Sequence, residues 1–152
     1  MQRRKFLSLG AVAVGATVLH SSASAADFRK EVPAAWEAHG SQEAIKALFG
    51  DIKPTPGKIK MKAPKLAENG GAVPIGMESD IEATTIALFQ DANPRSAVCV
   101  FELANGGLFD IKTKIKMRKT ANVTIIAKGV DGKFYSQVQK VEVSIGGCGG
   151  WF

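Results

Sequence analysis

Cys148 stands between two glycine pairs, in Gly146-Gly147-Cys148-Gly149-Gly150, just after the last long run of alternating apolar and polar residues. Glycines on both sides remove every Cβ next to the thiol and widen the backbone's choice of φ, so the segment is expected to be thin and able to swing. At about 3.3 Å per extended residue, the two glycines after Ile145 put the sulfur roughly 10 Å beyond the final strand. That reach suits a thiol presented to the pocket of another protein. The plainer alternatives are a frayed terminus, or a cysteine that pairs with Cys99. An exposed thiol in an exported chain is open to oxidation, which argues that it is there for a reason.

The remaining chemical inventory is sparse: two histidines, two cysteines and one tyrosine in 152 residues. Cys99, in Ala97-Val98-Cys99-Val100-Phe101, is expected to be a core residue on the side of Ala97 and Phe101, because strand side chains alternate and cysteine is often buried. A Cys99–Cys148 bridge would tether the glycine segment and bury its thiol, so that pairing and a freely presented thiol exclude each other unless the bridge is reversible. His39 follows a helical stretch and is expected to be exposed. A single histidine does not make a zinc cluster, and there is no Cys-x-x-Cys-His for haem, no Gly-x-Ser-x-Gly elbow and no phosphate loop. No catalytic or metal-binding residue is therefore nominated, and no resident cofactor is expected.

Residues 1–25 read as an address. Arg3, Arg4 and Lys5 precede a mildly apolar run over 7–19, and Ala23-Ser24-Ala25 forms a small-residue cleavage site. The apolar run is too short for a stable bilayer anchor. The arginine pair with Phe6 and Leu7 resembles a twin-arginine export signal, with an ordinary secretory signal as the alternative. Either would place the mature chain, starting at Ala26, outside the cytoplasm. Lys plus Arg number 20 against 14 Asp plus Glu, but three of the cations lie before residue 6, leaving an excess of three. That is too little for a nucleic-acid footprint.

The elements that must position the thiol follow. Helices are expected over 33–38 and 41–49, the second with Ser41 as N-cap and Gly50 closing it. After Pro54, Pro56 and Gly57, short strands are expected over 58–62, 73–78, 84–90, 97–103, 109–117, 123–127 and 134–145. Asp131-Gly132 gives the clearest hairpin turn, and Gly70-Gly71 and Gly106-Gly107 also read as turns. Seven strands at this spacing predict an all-β fold, an immunoglobulin-like sandwich, with a small open barrel as fallback. In Ile111-Lys112-Thr113-Lys114-Ile115-Lys116-Met117 the odd positions are expected inward and the lysines in water, as a solvated face or as a surface for an anionic partner. The organisation is thus a signal over 1–25, a helical segment over 26–56, a sandwich over 57–145 and a glycine-rich arm bearing Cys148 over 146–152.

The glycine-cysteine terminus, taken with Ala63-Pro64-Lys65-Leu66-Ala67-Glu68-Asn69-Gly70 and Asp131-Gly132-Lys133-Phe134-Tyr135-Ser136, resembles SoxY, the sulfur-carrier family of the thiosulfate-oxidising Sox system. The likeness runs from about Trp36 to Gly150. A glycine-cysteine-glycine run alone is a weak signal; joined to a β-domain it is specific. The resemblance implies residence in the periplasm, a complex with a SoxZ-like subunit, and covalent sulfur on Cys148, with Gly146, Gly147, Gly149 and Gly150 as its arm. It implies a carrier, not an enzyme. Three partners act on the cargo: a c-type haem enzyme that conjugates thiosulfate, a dinuclear manganese hydrolase that releases sulfate, and a molybdenum–haem dehydrogenase where present. Trp151 and Phe152 depart from the family, which usually ends at the second glycine pair. Two other readings stay open on residues alone: a periplasmic thiol–disulfide protein using Cys99 and Cys148, and a structural sandwich that binds through a strand edge.

Overall fold

The computed structural model describes residues 26–144. The expected signal over 1–25 and the expected arm over 146–152, with Cys148, lie outside the described residues. Three short helices, α1 (Phe28–Glu31), α2 (Pro33–Glu37) and α3 (Ser41–Phe49), precede β1 (Thr55–Pro56), β2 (Ile59–Lys62), β3 (Leu66–Ala67), β4 (Val73–Gln90), β5 (Ala97–Ile115), β6 (Ala121–Gly129) and β7 (Phe134–Val143). The strands form a curled seven-stranded sheet in the order β1-β7-β6-β4-β2, with β5 also paired to β4 and β3 to β7. This is the expected all-β, immunoglobulin-like architecture.

The count of seven strands is reached differently from the expectation. The stretches 73–78 and 84–90 are one strand, and so are 97–103 and 109–115. β4 and β5 pair antiparallel along nearly their whole length through two large opposed bulges at a bend and a smaller irregularity at Val98. Residues 80–82 of β4 stand against Leu108 alone, and residues 103–106 of β5 stand against Thr84 alone. Extra residues on one strand and then on the other bend the ribbon sharply without ending its pairing. Gly106-Gly107, read from sequence as a turn, lies at this bend, where Asn105 (φ 62°) and Gly106 (φ 74°) take the positive φ that the bulge requires.

The bend gives β4 different neighbours along its length. Before it, Gly76 to Ser79 pair with β2; after it, Ala83 to Gln90 pair with β6. One ribbon therefore serves both layers of the sandwich. Ile59, Val73, Ile75, Met77, Ile86, Leu88, Phe109, Ile115, Val123, Ile125 and Val141 meet in the core between the layers. On the second half of β4 both faces are covered, because Ala87, Phe89 and Ile126 point away from that core to meet Ala38, Ala44 and Ile45 of the helical segment. Phe49 of α3 meets Phe134 of β7 edge-on, with ring centroids 5.3 Å apart.

At the start of α3 the expectation needs correction. Ser41 is the first helical residue and Gly40 (φ 145°) occupies the cap position. The orphan amide is satisfied from a distance: Asp91 Oδ1 accepts from the Ser41 amide at 2.9 Å and from its Oγ at 2.7 Å. Gly50, as expected, ends the helix with a positive φ of 79°, its amide donating to the Lys46 carbonyl. The loop carrying Asp91 is itself organised by the buried Gln90. Its Oε1 accepts from the Ala92 and Asn93 amides and its Nε2 donates to the Arg95 carbonyl.

Phe89→Ala should open a hole between sheet and helices and cost about 3–5 kcal/mol in urea unfolding; a loss below about 1 kcal/mol would show that the helical layer is not sealed by this ring. Asp91→Ala should cost about 1 kcal/mol, the usual worth of a helix cap, with fraying confined to the first turn of α3 in amide exchange.

Candidate functional site

The last residues described before the glycine-cysteine motif are held from both sides. β3 runs parallel to the end of β7, with Leu66 beside Glu142 and Ala67 beside Val143. The Glu142 amide donates to the Lys65 carbonyl at 2.8 Å and the Ser144 amide to the Ala67 carbonyl at 3.1 Å. Ser144 Oγ adds a bond to the Glu68 carbonyl at 3.2 Å, and the Val143 amide donates to Thr120 Oγ1 at 2.9 Å. The backbone is thus fastened as far as Ser144, one residue short of Ile145. The stretch from Ala63 to Gly70 provides that fastening, and its Gly70 carbonyl also accepts from the Met117 amide at 2.7 Å.

Beside this mooring lies a cavity of about 610 Å³ lined by Ala63, Lys65, Gln139, Lys140 and Glu142. Gln139 Nε2 crosses it to the Ala63 carbonyl at 3.0 Å. Lys140 and Glu142, two residues apart on the same side of β7, are 3.9 Å apart, both largely exposed. The second family-like stretch makes the β6–β7 hairpin. Gly132 has φ 77°, Asp131 Oδ1 accepts from the Lys133 amide, and Tyr135 donates its hydroxyl to Asp131 Oδ2 at 3.0 Å. These bonds hold the Asp131 carboxyl below its ordinary range, the Lys133 amide contributing most, and the same contact raises the Tyr135 hydroxyl. Asp131 is exposed and Tyr135 is partly buried against the core, and their contact fixes the turn.

Cys99 is half-buried, and its packing is more divided than alternation alone suggests. Phe89 pairs with Ala97 and Leu88 with Cys99, so Val98 is an extra residue in β5. Ala97 consequently packs with the helix-covered cluster, while Cys99 and Phe101 pack with the inner core. The expectation that Ala97 and Cys99 share a side is corrected by this irregularity. Burial pushes the Cys99 thiol up to about 11, so at neutral pH it is almost wholly protonated and a poor nucleophile.

His39 is exposed, as expected, with Nδ1 2.8 Å from the Pro94 carbonyl. Lys112, Lys114 and Lys116 are exposed, while Ile115 and Met117 between and beyond them are buried, as the alternation requires. Among the described residues no group of three metal-ligating side chains is gathered, and no helix is long and apolar enough to cross a membrane. The proposed arm residues Gly146, Gly147, Cys148, Gly149 and Gly150 lie outside the described residues. Sequence reasoning missed the role of Thr120 and of β3. A lone threonine in a polar loop and a two-residue strand leave no periodic signal.

Comparison with known proteins places this architecture. Among curated proteins, none matches the chain. The solved structure of the sulfur carrier protein SoxY from Chlorobium limicola f thiosulfatophilum matches with 33% identity and a TM-score of 0.62, covering 68% of this chain and 96% of that one. A superoxide reductase (neelaredoxin) from Ignicoccus hospitalis shares the fold at 13% identity and a TM-score of 0.50, covering 58% of this chain and 81% of that one. The family described as sulfur oxidation protein SoxY matches residues 45–148, which take in the second half of the helix α3, all seven described strands and the cysteine of the glycine motif. The chain belongs to the SoxY family.

Proposed function

We propose that this protein is a periplasmic sulfur carrier that holds thiosulfate-derived sulfur covalently on Cys148 while partner enzymes transform it. The observation that carries the reading is the reach of the family match to residue 148, on a chain whose backbone is fastened up to Ser144. Export through the twin-arginine-like start and the Ala23-Ser24-Ala25 site accords with the role.

The chemistry asks little of the carrier itself. The cysteine thiol and thiosulfate join through a new S–S bond, with loss of the thiol proton and of two electrons, which the c-type haem partner accepts. Water then attacks the outer, oxidised sulfur at the dinuclear manganese hydrolase, releasing sulfate and two protons and leaving a persulfide anion on Cys148. Where a molybdenum–haem dehydrogenase is present, it takes six electrons from the outer sulfur while three waters supply oxygen and release six protons, and hydrolysis of the resulting S-sulfonate releases a second sulfate and restores the thiol. A SoxZ-like subunit completes the carrier complex. A free cysteine is only slightly ionised at neutral pH, so the partners must supply the activation. No resident cofactor is required, because each catalyst brings its own.

A Cys99–Cys148 redox pair is disfavoured by distance. Cys99 pairs with Leu88, Leu88 with Ile125, and Ile125 with Gln137, which puts Cys99 three strand spacings from β7. From Gln137 the strand runs on toward Ser144, roughly 23 Å at about 3.3 Å per residue. The four residues from Ser144 to Cys148 span at most about 14 Å. A bridge within one chain would need the end of β7 to leave its pairing.

Intact-mass spectrometry of the mature protein from cells oxidising thiosulfate should show reductant-labile sulfur adducts, lost in Cys148→Ser and retained in Cys99→Ala. A thiol that stays unmodified in thiosulfate-grown cells would overturn the reading. Gly147→Val with Gly149→Val should leave the melting temperature within about 2 °C, since the residues lie beyond the last strand, yet slow sulfur loading at least about tenfold by introducing two stiff β-branched side chains.

A further inference from the structure

The outward face of the layer formed by β2, the first half of β4 and the second half of β5 bears a trough centred on Gly76. Gly76 pairs directly with Lys62 on one side and with Lys112 on the other, and the neighbouring Pro74 pairs with Lys114. Strands lie about 4.8 Å apart, so the Cα atoms of the two lysines flanking Gly76 are roughly 10 Å from each other, and with no side chain of its own Gly76 lets the Lys62 stem lean over it. The result is a cavity of about 450 Å³ whose floor is the Pro74 ring and the Gly76 backbone, and whose walls are Lys62, Lys112 and Lys114.

Nothing in the backbone demands glycine here. Gly76 is absent from the positive-φ positions, and its pairing is regular on both sides, the register shifts beginning only after Ser79. A glycine within a regular strand weakens it, and outside bulges and bends its recurrent use is to let another group come close. A Cβ at this position would stand 3.1 Å from Lys62 Cβ and crowd the floor of the trough.

Charge on this face is segregated. Glu78 is held by Lys62 at 2.5 Å, a contact that lowers the carboxyl and raises the ammonium, and Asp80 lies 3.4 Å from Lys60. Those pairs leave one end balanced. At the other end Lys112 and Lys114 have no ion pair among the described residues, although Glu78 attracts Lys112 at longer range and Asp110 stands two residues from Lys112 in β5. The trough therefore joins an apolar floor to an uncompensated basic wall.

We propose that this trough is the docking site for an extended acidic segment of a partner protein, which lays a bulky apolar side chain over Pro74 and Gly76 and sets its flanking carboxylates on Lys112 and Lys114. A small inorganic anion would leave the apolar floor empty, and a nucleic acid would use the lysines without it.

The test uses the mature protein, isotopically labelled, titrated with blocked Asp-Glu-Phe-Glu-Asp peptide at low ionic strength and followed by amide NMR. Saturable shifts are expected at Ile75, Gly76, Lys112, Thr113 and Lys114. Lys112→Gln with Lys114→Gln should weaken binding about tenfold, the worth of two exposed charge pairs, without changing the melting temperature. Lys133→Gln with Lys140→Gln, on other surfaces, should change it by less than about twofold. The proposal is overturned by non-saturable or distant shifts, by unchanged affinity in the Lys112/Lys114 variant, or by equal binding of sulfate, oligothymidylate or the peptide with glycine in place of phenylalanine.

Discussion

The antiparallel pairing of β4 with β5 is the constraint on which this molecule depends. It runs nearly the full length of both strands and survives two opposed bulges. Because the ribbon bends instead of breaking, its first part borrows β2 as a neighbour and its second part borrows β6, and the two layers of the sandwich share a single hydrogen-bonded spine. Close packing of Ile75, Met77, Ile86, Leu88 and Phe109 between the layers then follows from register alone. A slip by one residue would turn these side chains to water and the lysines inward.

The same register separates the functions of the surface. One layer is sealed by helices against Ala87 and Phe89, the other is left with its outward residues in solvent, and the far end of β7 is handed to β3. Parallel pairing over just two residues is a weak fastening by itself. Thr120 and the Ser144 hydroxyl strengthen it, so β7 is fastened as far as Ser144, the last described residue.

Periodicity made the sandwich, the inward Ile111, Ile115 and Met117, the Asp131-Gly132 turn and the helix end at Gly50 legible in the sequence. It did not disclose that four of the expected strands are two. Asn105-Gly106-Gly107 carries every local sign of a turn, and only the partner strand decides whether a positive-φ step ends a strand or bends it. Asp91 as the cap of a helix fifty residues earlier is likewise a product of folding. The glycine-flanked Cys148 needed no structure to be noticed, since its signal is composition. Gly76 was the reverse: it is unremarked between Ile75 and Met77 in the sequence and becomes informative only once Lys62 and Lys112 are known to flank it.

The fastening of β7 up to Ser144 has a kinetic meaning. Cys148 lies four residues on in the sequence and so within about 14 Å of that anchored point, and short connections set effective concentrations in the millimolar range or above. On the proposed carrier role, any catalyst that settles on the sandwich near the end of β7 would meet its substrate at that local strength, whatever the dilution of the free compound outside. Turnover would then be governed by how long the two proteins stay together and not by how much sulfur compound is dissolved around them.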